Sequence, residues 1–254
     1  MSFCNSDEII IKTAEQIEKM AKAGQVLQKV LQEVKIVSNP GVSTGEVDQI
    51  AEEIIRSHNM KPSFKGYHGF PGTICASIDD EVVHTFPSKK RILEEGQIFK
   101  VDCGVCFEGW HSDACITVAI GKISKAKQKL MDTTKKSLYM ALDICKEGVR
   151  IGNIGALIEK TVKKEGYNPV RQCVGHGIGN NLHEAPQLPN FGENGTGAIL
   201  KENMTICIEP IINMGSGAVY TCDDKWCVKS KDGLPSAHFE HTICIEKKGA
   251  RILA

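Results

Sequence analysis

Apolar residues Ile17, Met20, Leu27, Val30, Leu31 and Val34 recur at three- and four-residue steps. That period lines one face of a helix and predicts one over residues 13–34. Ser43 followed by Glu46 has the S-x-x-E form of a capping box, and Val47, Ile50, Ile54 and Ile55 continue a second helix from it. Strand-like runs follow at 73–84, 97–106 and 111–120. The order then recurs, with helices from Ser124 to about Lys146 and from about Asn153 to Glu165, and strands at 204–212, 218–230 and 238–246.

Sliding the chain on itself by 107 positions tests that recurrence. Gly41, Val42, Gly45, Glu52 and Pro62 fall on Gly148, Val149, Gly152, Glu159 and Pro169, while Val47, Ile50 and Ile55 fall on Ile154, Leu157 and Val162. Five identities and three apolar matches in 22 positions are a poor fit to chance. The expectation is one domain, 1–254, made of a duplicated α/β unit with halves at about 12–120 and 124–246, behind a short tail, 1–11.

The same slide takes Asp102, in KVDCGV, to Glu209, in ICIEPI. A carboxylate on an apolar strand is expensive to bury alone, so two at equivalent places suggest a site between the halves. Asp113 and Glu240 are further acids on apolar strands, and a two- or four-residue loop around FEGW (107–110) would put Asp102 and Asp113 on one face. Each acid shares its face with small residues, and the opposite faces carry mostly Val, Ile and Phe. Two carboxylates ~4 Å apart repel by about 4 kcal/mol at an effective dielectric of ~20. No Arg or Lys is expected near the acids on these faces, whereas two divalent cations balance four charges.

The segment CVGHGIGNNLHEAP (173–186) raises two readings. Its G-x-G-x-G spacing lacks the strand–turn–helix context and the lysine of a phosphate loop. The glycines read instead as backbone freedom that lets a substrate pass close, and His176 supplies the imidazole that a carboxylate-rich transition-metal site commonly includes.

Composition narrows the class. With 41% hydrophobic and 24% charged residues the chain is an ordinary globular sequence, and Lys+Arg and Asp+Glu, both 31, leave no general electrostatic hold on nucleic acid or an anionic membrane. No signal peptide or membrane-spanning run is visible, so a cytoplasmic protein is expected. The eleven cysteines read as reduced thiols. Cys103 and Cys106 face opposite sides of one strand, and Cys222 and Cys227 lack the second pair a zinc site needs.

The ordered set Asp102, Asp113, His176, Glu209 and Glu240 resembles the methionine aminopeptidases. The resemblance spans the whole chain. It implies an α+β pita-bread fold, a pseudo-two-fold duplication of a helix-helix-strand unit with a curved, mainly antiparallel sheet covered by helices. Only 25 residues separate His183 from Glu209, which implies the type I form, here without an N-terminal zinc-binding extension. By resemblance Asp102 chelates one of two divalent ions (Co, Mn, Fe(II) or Zn), Asp113 and Glu240 bridge both, and His176 and Glu209 complete the second site. Glu209 also shuttles the proton, His84 contacts substrate near the scissile amide, and His183 steadies the carbonyl oxygen. Tyr67, Phe70, Cys75 and Trp226 form the methionine pocket, and a monovalent cation sits near Asp79. The implied partners are peptides and nascent chains that begin with Met, with transient ribosome contact, no sequence-specific nucleic acid, no membrane and a monomeric state.

The chain departs from the family pattern at Leu182, Cys173, Thr85-Phe86, Ala114 and Asp79, none of them a metal ligand. His238 and His241 match no ligand and are expected on opposite faces of a strand. His58 and His111 read as structural. A proline-specific peptidase of the same fold would carry a large extra N-terminal domain, and a binding protein derived from the fold would have lost ligands.

Overall fold

A computed structural model describes residues 8–254, so the tail expected over 1–11 lies mostly outside it. Helices α1 (Ala14–Val37) and α2 (Thr44–Ser57) both open on capping boxes, Thr13 with Gln16 and Ser43 with Glu46, which satisfy first-turn N–H groups. Strands β1 (Lys61–Pro62), β2 (Ile74–Ile78), β3 (Glu81–Val83), β4 (Ile98–Phe107) and β5 (Trp110–Ala119) follow. Helices α3 (Lys125–Ile144) and α4 (Ile151–Lys164) lead into β6 (Asn168–Pro169), β7 (Gly175–Gly177), β8 (Glu184–Leu188), β9 (Thr205–Ile208) and β10 (Ile211–Asn213). The chain ends through β11 (Val219–Thr221), β12 (Val228–Ser230), β13 (Ser236–His238), β14 (His241–Ile245) and β15 (Ala250–Ile252).

Helix α4 starts at Ile151, two residues before the expected Asn153, without a side-chain cap. The carbonyls of Ala198 and Thr196 accept its first N–H groups, from Ile151 and Gly152, so a distant loop does the capping. One apolar core packs α1 and α2 on the β4–β5 hairpin, and another packs α3 and α4 on the sheet of β9 and β14.

The hairpin is joined by two residues, Glu108 and Gly109, both at positive φ (49° and 83°), the geometry of a type I′ turn. Register then follows: Asp102 lies opposite Cys115 and Asp113 opposite Gly104, so both acids share a face. Val101, Cys103 and Val105 occupy the other face, fully buried.

The runs expected as single strands over 204–212 and 238–246 are each broken at their acid. β9 pairs with β14 in one sheet and β10 with β13 in another, leaving Glu209–Pro210 and Phe239–Glu240 at the crossings. Pro210 has no N–H to continue the ladder. The Glu240 N–H leaves its own sheet and donates to Cys115 O at 3.0 Å, tying the crossing to the hairpin.

The glycines of GHGIG have a different reason from the one expected. Gly175–Gly177 is a strand between β8 and β9. A Cβ on Gly175 would stand 2.4 Å from Cys207 O, and one on Gly177 2.1 Å from Ala185 O. Neither glycine adopts a positive φ. They let backbones pack closely and do not supply flexibility.

Candidate active site

The hairpin, the two crossings and β7 bring all five expected ligands to the lining of a cavity of about 810 Å³. Donor atoms of Asp102, Asp113 and Glu240 lie within 4.8 Å of one another, as do those of His176, Cys207 and Glu240. His176 Nε2 is 3.7 Å from Glu209 Oε1. Asp102 Oδ1, Asp113 Oδ1 and Glu240 Oε1 are buried without a hydrogen-bond partner.

Unpaired buried carboxylates cost several kcal/mol each when charged. Burial pushes Asp102 up to about 7. Burial raises Asp113, Glu209 and Glu240 well above the ordinary carboxylate range, and the charges of neighbouring acids raise them further. Orphaned oxygens at this spacing, joined by an imidazole, are the donor set for divalent cations, so the residues fit the metals that the resemblance implies.

His176 donates from Nδ1 to Gly177 O at 2.8 Å, which fixes the tautomer and leaves Nε2 as a donor to a metal. Burial lowers its pKa to about 4, so the ring is neutral. His183 lies beside it, tilted by 57° at 4.4 Å between centroids, and Tyr67 Oη lies 2.8 Å from His183 Nδ1. Burial, then the neighbouring histidines, lowers His183 to about 2. A buried ion pair, Lys12 Nζ to Glu184 Oε2 at 2.6 Å, anchors the loop that carries His183. His84 lines the same cavity, and burial lowers it to about 4.

The structure brings Tyr67, Phe70, Cys75 and Trp226 into one cavity. Phe70 and Trp226 meet edge to face at 5.2 Å, Tyr67 and Cys75 line the same cavity, and Cys75 lies opposite Asp102 across β2 and β4. Phe86, one of the departures from the family pattern, packs behind both rings, 5.3 Å from Phe70 and 6.1 Å from Trp226. Leu182, another departure, also lines the cavity.

Two further residues stand near the acids. His238 is 2% exposed, and its Nε2 lacks a partner, 3.6 Å from Glu209 Oε2 and 3.8 Å from Glu240 Oε2. It stands two residues before Glu240, and that spacing was the available signal. His241 turns the other way, to Ala254 O. Contrary to expectation, a lysine does share the acids' strand face, because Lys100 lies two residues before Asp102 on β4. Its ammonium reaches away from them to Asp79 O at 2.8 Å and Ser236 O at 3.0 Å. Asp79 also pairs with Lys127 at 2.7 Å.

A fold with carboxylates convergent from two repeats beside an aromatic cavity defines a class of metallohydrolases, and the comparisons agree. A model of metallopeptidase family M24 matches residues 18–247. The methionine aminopeptidase of Clostridium perfringens is 43% identical over 245 residues, 96% of this chain and 98% of that protein. That of Escherichia coli K12 is 40% identical, over 96% of this chain and 93% of the relative. The crystal structure of the Thermotoga maritima methionine aminopeptidase has a TM-score of 0.96 at 41% identity, covering 97% of this chain and 99% of that one. Prolidase from Pyrococcus furiosus shares the fold at a TM-score of 0.79 and 24% identity, and this chain covers 65% of it. The chain belongs to metallopeptidase family M24, in its methionine aminopeptidase branch.

Proposed function

We propose that the protein removes the N-terminal methionine from peptides and nascent chains whose second residue is small, as the type I enzymes of its branch do. One observation carries the reading: buried, unpartnered carboxylates and His176 line the same cavity as Tyr67, Phe70 and Trp226. Asp102, Asp113, His176, Glu209 and Glu240 would hold two divalent ions, Co, Mn, Fe(II) or Zn. When bound, such ions lower the pKa of water and polarise a carbonyl.

The chain's own groups do the rest. Glu209 takes a proton from the attacking water and passes it to the leaving amine. With Tyr67 donating to Nδ1, His183 carries its proton on Nε2 and donates it towards the scissile carbonyl oxygen as charge develops there. His84, kept neutral by burial, contacts the amide side of the substrate. Phe70, Trp226 and Cys75 enclose the methionine side chain, since a polarisable thioether packs well against ring edges and sulfur.

The reading places the protein in the cytoplasm, acting as a monomer with transient ribosome contact. A formal net charge of zero gives no general hold on nucleic acid, and no helix among the described residues is long and apolar enough to cross a membrane. The test is release of Met from Met-Ala-Ser and Met-Gly-Met-Met by metal-loaded protein, with peptides carrying a bulky second residue spared. No release under any of the four metals overturns the reading.

A further inference from the structure

Lys100 is among the largest fully buried side chains in the molecule, and the proposed reaction gives it no task. Its ammonium donates to two backbone carbonyls that belong to segments far apart in sequence, Asp79 O at 2.8 Å and Ser236 O at 3.0 Å. Asp79 is held at φ 45°, a left-handed conformation, with its N–H on Ile98 O and its carboxylate accepting from Ile98 N. The same Asp79 carbonyl accepts from Ser236 N at 3.0 Å. The turn between β2 and β3 thus offers carbonyl oxygen to one point from the first repeat, and β13 does so from the second.

The surroundings are acidic. Asp79, Asp80 and Glu81 follow one another in that turn, and Lys127, Lys229 and Arg91 pair with their carboxylates from outside. Carbonyl oxygens backed by carboxylates are the ligand chemistry of a hard monovalent cation. The point where such an ion would sit is filled by Nζ. Lys100 leads along β4 to Asp102, and Ser236 opens β13, which ends at His238 just before the crossing that carries Glu240. The contact therefore fastens together the two strands that deliver acids from opposite repeats.

We infer that the Lys100 ammonium is a tethered monovalent cation, built into the chain in place of a free alkali ion, and that it positions β13 against β4. The protein is then indifferent to the identity of the alkali ion in solution. Cutting Lys100 to serine opens a carbonyl cradle that potassium or sodium can enter. Thermal unfolding reads this directly, so the inference stands or falls apart from the proposed reaction.

The experiment compares wild type, Lys100→Ser and Lys100→Met in KCl, NaCl and choline chloride at equal ionic strength. Wild type shows one Tm in all three salts. Lys100→Ser shows a lowered Tm in choline chloride that rises saturably with potassium or sodium. Lys100→Met, whose side chain fills the space without charge, gains nothing from either ion. Crystals of Lys100→Ser soaked in rubidium show an anomalous peak between Asp79 O and Ser236 O, and wild-type crystals show none. A wild-type Tm that rises in potassium or sodium overturns the inference, as does a Lys100→Ser protein equally stable in every salt. A Lys100→Ser protein that is insoluble but refolds in KCl supports it, and one that refolds in no salt counts against it.

Discussion

Asp102 and Asp113 lie inside two unbroken ten-residue strands, whereas Glu209 and Glu240 lie where strands leave one sheet for another. The hairpin needs only its turn and register to place its acids. The crossings need outside support: Asn190 Nδ2 donates to Glu209 O at 2.8 Å, and Thr242 Oγ1 both accepts from Asp113 N at 2.9 Å and donates to Asp113 O at 2.7 Å. The same duplicated plan has thus given one rigid pair of ligands and one pair clamped onto it. The two tasks proposed for Glu209, holding a metal and moving a proton, thus fall at a break between sheets.

The strongest challenge to that division of labour is Glu209→Gln. Its turnover is expected to fall about 10²–10⁴-fold, the usual contribution of a positioned acid–base group, with circular dichroism and Tm unchanged. Normal kcat in that variant removes the shuttle role. Next comes His183→Ala, expected to lower kcat about 10²–10³-fold while metal content, read by elemental analysis, stays as in wild type. Loss of metal there would make His183 a ligand.

A matched pair then separates hairpin from clamp. Thr242→Val leaves both main-chain groups of Asp113 unmatched in a buried site, at a cost of about 1–3 kcal/mol, and is expected to weaken metal binding measured calorimetrically. Gly109→Ala, at φ 83°, strains the hairpin turn by about 1–2 kcal/mol and is expected to leave metal affinity intact. Equal losses of affinity would erase the distinction.

The smallest and most graded effect concerns pH. In the metal-free protein, carboxyls raised by burial add stability below their ordinary range and lose it as pH climbs through their raised values, about 7 for Asp102 and well above the ordinary carboxylate range for Asp113, Glu209 and Glu240. The buried histidines have lowered pKa values, so they remove stability only below their ordinary value of 6.5. Above 6.5 the acids act without them. The Tm gain on adding Mn or Co should therefore widen between pH 6.5 and 8, and a gain that narrows contradicts the charge balance.

Much of this was legible in the chain because local chemistry agreed with the final fold. Ser43, Ser124 and the alternation around Asp102 and Asp113 announced their elements through caps and period. The crossings were hidden because ICIEPII alternates straight through Glu209, with only Pro210 to signal the break. β7 was hidden because a glycine–histidine–glycine strand has no apolar face, and its reason for existing, the carbonyls of Cys207 and Ala185, lies elsewhere in the sequence. His238 and Lys100 shared spacing with named ligands, but where each side chain ends depends on neighbours in the other repeat.

The account rests on four acids, two on the hairpin and two at the crossings, meeting as one metal centre, and titration of metal into anaerobically purified, metal-stripped protein tests it most directly. With Met release from Met-Ala-Ser followed alongside binding, activity should rise with bound metal to a limit of two ions per chain, and Glu209→Gln should bind metal without releasing Met. Full activity in protein shown to hold no metal, or no metal binding by protein that is folded, would contradict it.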